Sequence, residues 1–212
     1  MPLRLAALFA GAAAAAGIGG GVALHELRGT GGSEAPSAFH GQASWPAGKR
    51  PAPQFSLRDQ RGSRLSLASL RGRPVLLTFL DSRCHAQCPV EGRDLALVLQ
   101  RLRPAGRPTL VVLSVDPEGD TPASIRHAMA KWRLAGPWPW YWLNGTPRQL
   151  ASAWRAYGIT VVPKAGDIVH SLALYLIDRR GFERTGYLFP FLPGFVQGDL
   201  RTLAADRAAA SA

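Results

Sequence analysis

Residues 74–89 read Pro-Val-Leu-Leu-Thr-Phe-Leu-Asp-Ser-Arg-Cys-His-Ala-Gln-Cys-Pro. The first half is an apolar run of strand length, broken only by Thr78, and the second half is a polar turn that carries both cysteines of the chain. A run without polar alternation suits a central strand buried on both faces, as in parallel and mixed sheets. Pro89 suits the first position of a helix, where its missing N–H costs nothing. Leu95, Val98, Leu99 and Leu102 then recur with the spacing of one helix face. Residues 109–115, Thr-Leu-Val-Val-Leu-Ser-Val, form a second buried run. The order strand, turn, helix, strand is a βαβ unit, expected to be right-handed.

Outward from this unit, residues 55–57 and 64–67 read as short strands around the turn Asp59-Gln60-Arg61-Gly62. A second helix is expected after Asp120-Thr121-Pro122, with Ile125, Ala128, Met129 and Trp132 on its apolar face. A third covers residues 147–157. Residues 171–177 form a further strand that turns at 178–181 into a hairpin partner through Tyr187, and a last helix covers residues 195–205. The fold class is α/β, a central mixed sheet flanked by helices with an N-terminal hairpin extension. Asp116 and Asp120 read as loop and capping residues, and the aromatic stretch 138–142 as core and rim packing.

The chain has 212 residues, 47% of them apolar, and a formal net charge of +11. That is enough for one domain with a real core plus an accessory segment. The positive charge is scattered arginine without a basic run or aromatic interleaving, so nucleic acid is not the expected partner. Two cysteines make one local site rather than a disulfide framework.

Leu5 to Leu24 carries no charge and is flanked by Arg4 on one side and by His25, Glu26 and Arg28 on the other. A stretch of that length spans a hydrocarbon core as a helix, with the positive flank retained inside. Its many alanines and glycines also suit a cleaved signal peptide. Either way the domain is expected outside a bacterial inner membrane, facing the periplasm. The expected organisation is residues 1–27 as transmembrane anchor or signal, 28–51 as a flexible Gly-, Ser- and Pro-rich tether, and 52–212 as the folded domain.

The chemistry is expected at Cys84 and Cys88. They follow the carboxyl end of a central strand, where ligands sit in open α/β sheets. The helix that follows favours thiolate at its N-terminus, and Arg83 adds a nearby cation. Because Cys88 precedes proline, both thiols are expected on a loop before the helix. Two soft sulfurs favour Cu(I), and the same loop also allows a short disulfide. A third ligand would come from histidine: His170 stands at the entrance to a strand, His85 lies inside the loop, and His127 is off the apolar face of its helix. The residues alone leave that choice open.

Several motifs in order resemble the Sco/SenC family of copper chaperones over residues 52–187. Residues 52–60 (Ala-Pro-Gln-Phe-Ser-Leu-Arg-Asp-Gln) with 67–72 (Leu-Ala-Ser-Leu-Arg-Gly) look like the family's opening hairpin. Residues 75–80 lead into Cys84-x3-Cys88-Pro89. Ser114-Val-Asp-Pro-Glu-Gly-Asp-Thr-Pro122, Trp142-Leu-Asn-Gly145 and Tyr157-Gly-Ile159 follow, then His170-Ser171 and residues 173–178. The resemblance implies a thioredoxin-like fold and a copper site of Cys84, Cys88 and His170, for Cu(I) or Cu(II). It also implies delivery of copper to the subunit of cytochrome c oxidase that carries the dinuclear CuA centre, with other copper chaperones or thioredoxin-like reductases as further partners. This sequence departs from the family at His85 and Ala86, where Pro-Asp is common, and at Val169, where Asp often precedes the histidine.

Two functions compete. A metallochaperone, not an enzyme in the ordinary sense, needs both reduced thiols and His170. A thiol–disulfide oxidoreductase acting on a partner's cysteines needs Cys84 and Cys88 as a redox pair but not the histidine. The spacing of three residues between the cysteines, rather than two, counts against generic thioredoxin-like work.

Overall fold

The computed structural model describes residues 38–164 and 167–209. Strands β4 (Val75–Leu80) and β5 (Thr109–Ser114) are buried at every position, as their unbroken apolar sequences require. Helix α1 (Cys88–Gln100) joins them, and they pair in parallel with Val75 opposite Thr109 and Leu80 opposite Ser114. Helix α2 (Pro122–Lys131) leads to β6 (Trp140–Leu143), which lies parallel to β5. On the other side of β4, β9 (Ala173–Ile177) runs antiparallel, followed by β10 (Glu183–Leu188) and β1 (Ala43–Ser44). The sheet order is β1-β10-β9-β4-β5-β6.

Successive side chains of β4 and β5 enter opposite cores, as the two-residue period of a strand dictates. Leu76, Leu80, Leu110 and Val112 pack with Leu95 and Leu99 of α1, Ile125 and Met129 of α2, and Val196 and Leu200 of α4 (Pro193–Ala209). Leu77, Phe79, Val111 and Leu113 face the other way, onto Leu150 and Ala153 of α3 (Pro147–Ala156) and onto Phe55, Leu57 and Leu67. Those last residues belong to or flank the hairpin of β2 (Ser56–Arg58) and β3 (Arg64–Ser66). A second hairpin, β7 (Val161–Lys164) with β8 (Asp167–His170), stands apart from the main sheet.

The structure corrects or extends the sequence reading at four places. Residues 38–51 do not behave as tether. Phe39 is buried in the core, β1 extends the sheet, and the Arg50 guanidinium pairs with the buried Glu183 carboxylate. The backbone N–H of His40 donates to Asp199 at 2.9 Å, and its Nδ1 lies 2.6 Å from the same carboxylate. One phenylalanine and a few polar anchors fix this segment, and a Gly/Ser/Pro composition hides them. Residues 138–142 supply an edge strand as well as packing: Gln60 Oε1 accepts from the Trp142 N–H at 3.0 Å along the edge of β6. Residues 161–164 and 167–170 pair as a ribbon that admits Pro163 because a two-stranded ribbon has open edges. The cap of α2 is Thr121, whose hydroxyl accepts from the Ser124 N–H, rather than Asp120.

The expected membrane or signal segment, residues 1–27, and the first part of the tether lie outside the described residues. Among the described residues no helix is long and apolar enough to cross a membrane.

The packing of Phe39 is testable. Phe39→Ala is expected to destabilise the domain by about 3 kcal/mol, the cost of removing a core aromatic ring, read from the midpoint of chemical denaturation. An unchanged midpoint would return residues 38–51 to the role of tether.

Candidate metal centre

The turn between β4 and α1 is built from its own backbone and braced by the loop after β5. The Asp81 carboxylate accepts from the Arg83 N–H at 2.7 Å, and the Asp81 carbonyl accepts from the Cys84 N–H at 3.2 Å. Arg83 donates through Nε and one terminal nitrogen to Asp116 Oδ2, at 3.0 and 2.7 Å. Asp116 in turn accepts from the Gly119 N–H at 2.9 Å. A Cβ on Gly119 would fall 1.9 Å from Asp116 Oδ2 and 2.1 Å from Arg83 Nε, so only glycine admits this pair. Asp120 accepts from the Ser82 N–H at 2.8 Å and from the Trp142 indole at 2.9 Å. Asp116 and Asp120 are structural, as expected, and the element they steady is the cysteine turn. Arg83 is not a free cation beside the thiols, since its charge is spent on Asp116.

Cys84 is half-buried in the turn, and Cys88 is fully buried as the first residue of α1, not on the loop before it. Both are free thiols. The Cys88 thiol donates to the Cys84 sulfur, and the Cys88 and Ala86 N–H groups donate to it as well; together they lower the Cys84 thiol to about 6. That same hydrogen bond to Cys84, with burial, drives Cys88 strongly upward. The pair therefore carries one thiolate, on the more accessible sulfur, and keeps one proton on the buried one.

His170 ends β8 and comes back onto this pair. Its Nε2 lies 3.4 Å from Cys88 Sγ, and its Nδ1 lies 3.0 Å from the Ser171 carbonyl. A carbonyl can only accept, so in the neutral ring Nδ1 carries the proton and Nε2 turns its lone pair to the sulfur. Two ligands each about 2.0–2.3 Å from one ion stand about 3.5 Å apart, so this spacing fits a shared metal. The structure thus brings together Cys84 with Cys88, and Cys88 with His170. Among the described residues, no three His, Cys, Asp or Glu side chains stand as a closed coordination set. His85 is exposed and lines a cleft of about 690 Å³ beside the turn, with Arg83, Lys164 and Ile168. His127 is exposed on α2, and His40 is engaged with Asp199.

Sequence reasoning missed Glu91. It lies fully buried on α1, one turn beyond Cys88, where its spacing with Leu95 and Val98 places it on the buried stripe. One carboxyl oxygen accepts from the Thr78 hydroxyl, while the other, Oε2, has no hydrogen-bond partner. Burial raises the group to about 8, so at neutral pH it adds little charge beneath the thiolate.

Two outcomes follow. Cys88→Ala removes the donor to Cys84, so the pH midpoint for alkylation of Cys84 is expected to rise from about 6 toward 9.0; an unmoved midpoint would show that the hydrogen bond is not its cause. Glu91 holds its proton in the fold more tightly than in the unfolded chain. Its contribution to stability is therefore lost as pH rises from about 4.5 to about 8. Glu91→Gln is expected to flatten that slope in denaturation curves measured across this range, and a slope equal to wild type would overturn the assignment.

The SCO1/SenC family model matches residues 46–190. A SCO1 protein homolog of Bacillus subtilis is 25% identical over 146 residues, covering 63% of this chain and 75% of the relative. Among solved structures, Bradyrhizobium japonicum ScoI with copper bound is similar at 28% identity and a TM-score of 0.59, over 72% of this chain and 99% of that one. BsSco, a member of the Sco family of cytochrome c oxidase assembly proteins in which a disulfide switch was identified, shares the fold. It is 22% identical with a TM-score of 0.62, over 77% of this chain and 98% of that one. A mixed sheet flanked by helices, a Cys-x3-Cys-Pro turn on the central strand and a histidine returned to it sit within the matched region, and the chain belongs to the SCO1/SenC family.

Proposed function

We propose that this protein is a copper chaperone that binds one Cu(I) through Cys84, Cys88 and His170 and passes it to the CuA centre of cytochrome c oxidase during assembly. The observation that carries this reading is the aim of His170, whose Nε2 lone pair faces Cys88 Sγ at 3.4 Å while Nδ1 is tied to Ser171. The donor set fits the ion: two sulfurs and an imidazole suit soft Cu(I), and four-ligand structural zinc has too few donors here. Relatives with copper bound and relatives in oxidase assembly support the same cargo and destination. Copper is a substrate here, taken up and released by ligand exchange without change of oxidation state. Uptake expels the proton still on Cys88, so apparent affinity is expected to rise with pH. Release requires that the recipient's ligands displace His170 and the half-buried Cys84 before the buried Cys88. The uncharged stretch of residues 5–24 supports an exported domain held at the bacterial inner membrane.

The Cys84 thiolate favours a second reading, a thiol–disulfide oxidoreductase. Cys84 would attack a partner disulfide, forming a mixed disulfide and expelling one partner thiolate. Cys88, losing its proton, would then attack Cys84 and release the second, leaving a Cys84–Cys88 disulfide to be reduced by an external dithiol.

Cu(I) competition with a chelator separates the two. Cys84→Ser or Cys88→Ser is expected to abolish tight one-to-one binding, and His170→Ala to weaken it by about tenfold or more while leaving dithiol reactivity largely intact. Copper binding unaltered in His170→Ala would remove the histidine from the site and favour the oxidoreductase.

A further inference from the structure

Away from the metal centre, the end of α1 and the turn at Pro104–Gly106 lie against α4 and leave a cleft of about 430 Å³. Leu102, Gly106 and Ala204 line it together with three arginines, Arg101, Arg103 and Arg201. A Cβ on Gly106 would stand 3.7 Å from that of Ala204, and Gln197 of α4 donates to the Arg101 carbonyl at 3.0 Å. Gln197, Arg201 and Ala204 are spaced four and three residues apart, so they share one face of α4. Arg201 therefore lies on the cleft side of α4, across from Arg101 and Arg103 of the segment that follows α1.

The three arginines do not serve the end of α1. Arginines near a helix C-terminus commonly bond its last carbonyls, but here Gln197 takes the carbonyl of Arg101, and Arg107 Nε donates to that of Leu102 at 3.1 Å. Among the residues whose side chains are described, no carboxylate pairs with Arg101, Arg103 or Arg201, and none lines the cleft. Three like charges are thus gathered around one concavity with an apolar floor. Guanidinium forks in that arrangement match the oxygens of a phosphate, each able to donate two hydrogen bonds. The volume exceeds that of the anion alone and leaves room for an organic substituent.

We infer that this cleft is a binding site for a phosphate group, borne by a small phosphate ester or by the headgroup of an anionic phospholipid. It lies on residues that take no part in metal binding, so its failure and that of the copper reading are separable.

The test compares the full-length wild type with Arg103→Glu/Arg201→Glu and with the milder Arg201→Gln. The replaced side chains are exposed, and unchanged Cu(I) affinity and melting temperature report that the fold is intact. In detergent, titration with inorganic phosphate at fixed ionic strength is expected to saturate for wild type and to weaken about tenfold or more in the double variant. Flotation with vesicles of phosphatidylcholine, alone or mixed with phosphatidylglycerol, gives the second arm, in which the N-terminal segment contributes equally to all variants. A variant-sensitive response to phosphate assigns a soluble ester. A gain on phosphatidylglycerol that the variants lose, without a phosphate response, assigns a lipid headgroup. Variants indistinguishable from wild type in both arms overturn the site.

Discussion

The antiparallel pairing of β9 with β4 is the constraint on which the candidate metal centre depends. Thr78 lies opposite Leu174, and the register runs from there to Val75 opposite Ile177. The start of β9 is therefore beside the carboxyl end of β4, and whatever precedes β9 arrives where the cysteine turn begins. This is how His170 reaches Cys88 across 82 residues of sequence. The pairing is fixed because β4 is buried on both faces, and a slip of one residue would exchange Leu76 and Leu80 for Leu77 and Phe79 between two filled cores. Thr78, the one polar residue of the strand, ties the pieces together, bonding Glu91 of α1 and, at 3.2 Å, the Ala173 carbonyl of β9.

The shared proton of the two thiols gives the site its asymmetry. Cys84 is held as a half-buried thiolate by donors from Cys88 and Ala86, and Cys88 is kept neutral by its hydrogen bond to Cys84 and by burial. Glu91 beneath them stays largely protonated, so a second negative charge is not stacked under the first. The bracing comes from outside the βαβ unit: Asp116 and Asp120 belong to the loop after β5, and each fixes one residue of the turn, Arg83 and Ser82.

Elements with strong local patterns were legible in the sequence. The two buried strands, the faces of α1 and α2, the β2–β3 hairpin and the β9–β10 hairpin all follow from periodicity and turn residues. Those that depend on distant partners were not. β1 exists only because β10 offers an edge and Glu183 and Asp199 offer carboxylates to Arg50 and His40. The β7–β8 hairpin contains Pro163, which reads as a breaker until the ribbon is seen to have free edges. Cys84 and Cys88 could be found from their turn, whereas the residues alone left the choice of histidine open, because proximity across the sheet has no local signal. Cys88 opening α1 shows that the restraint from Pro89 yields to a turn held by Asp81 and Asp120.

The plug that Gln60 forms on β6 has a further consequence. That side chain occupies the Trp142 N–H, and Arg58 bridges the backbone at Asn144, so one border of the main sheet is sealed from within. The opposite border ends in β1, which is two residues long. A sealed border on one side and so short an edge strand on the other disfavour the addition of a visiting chain as a further strand. A visiting polypeptide thus finds the ends of the strands, at the mouth where Cys84 lies, and the open edges of the β7–β8 ribbon more readily than the borders of the main sheet.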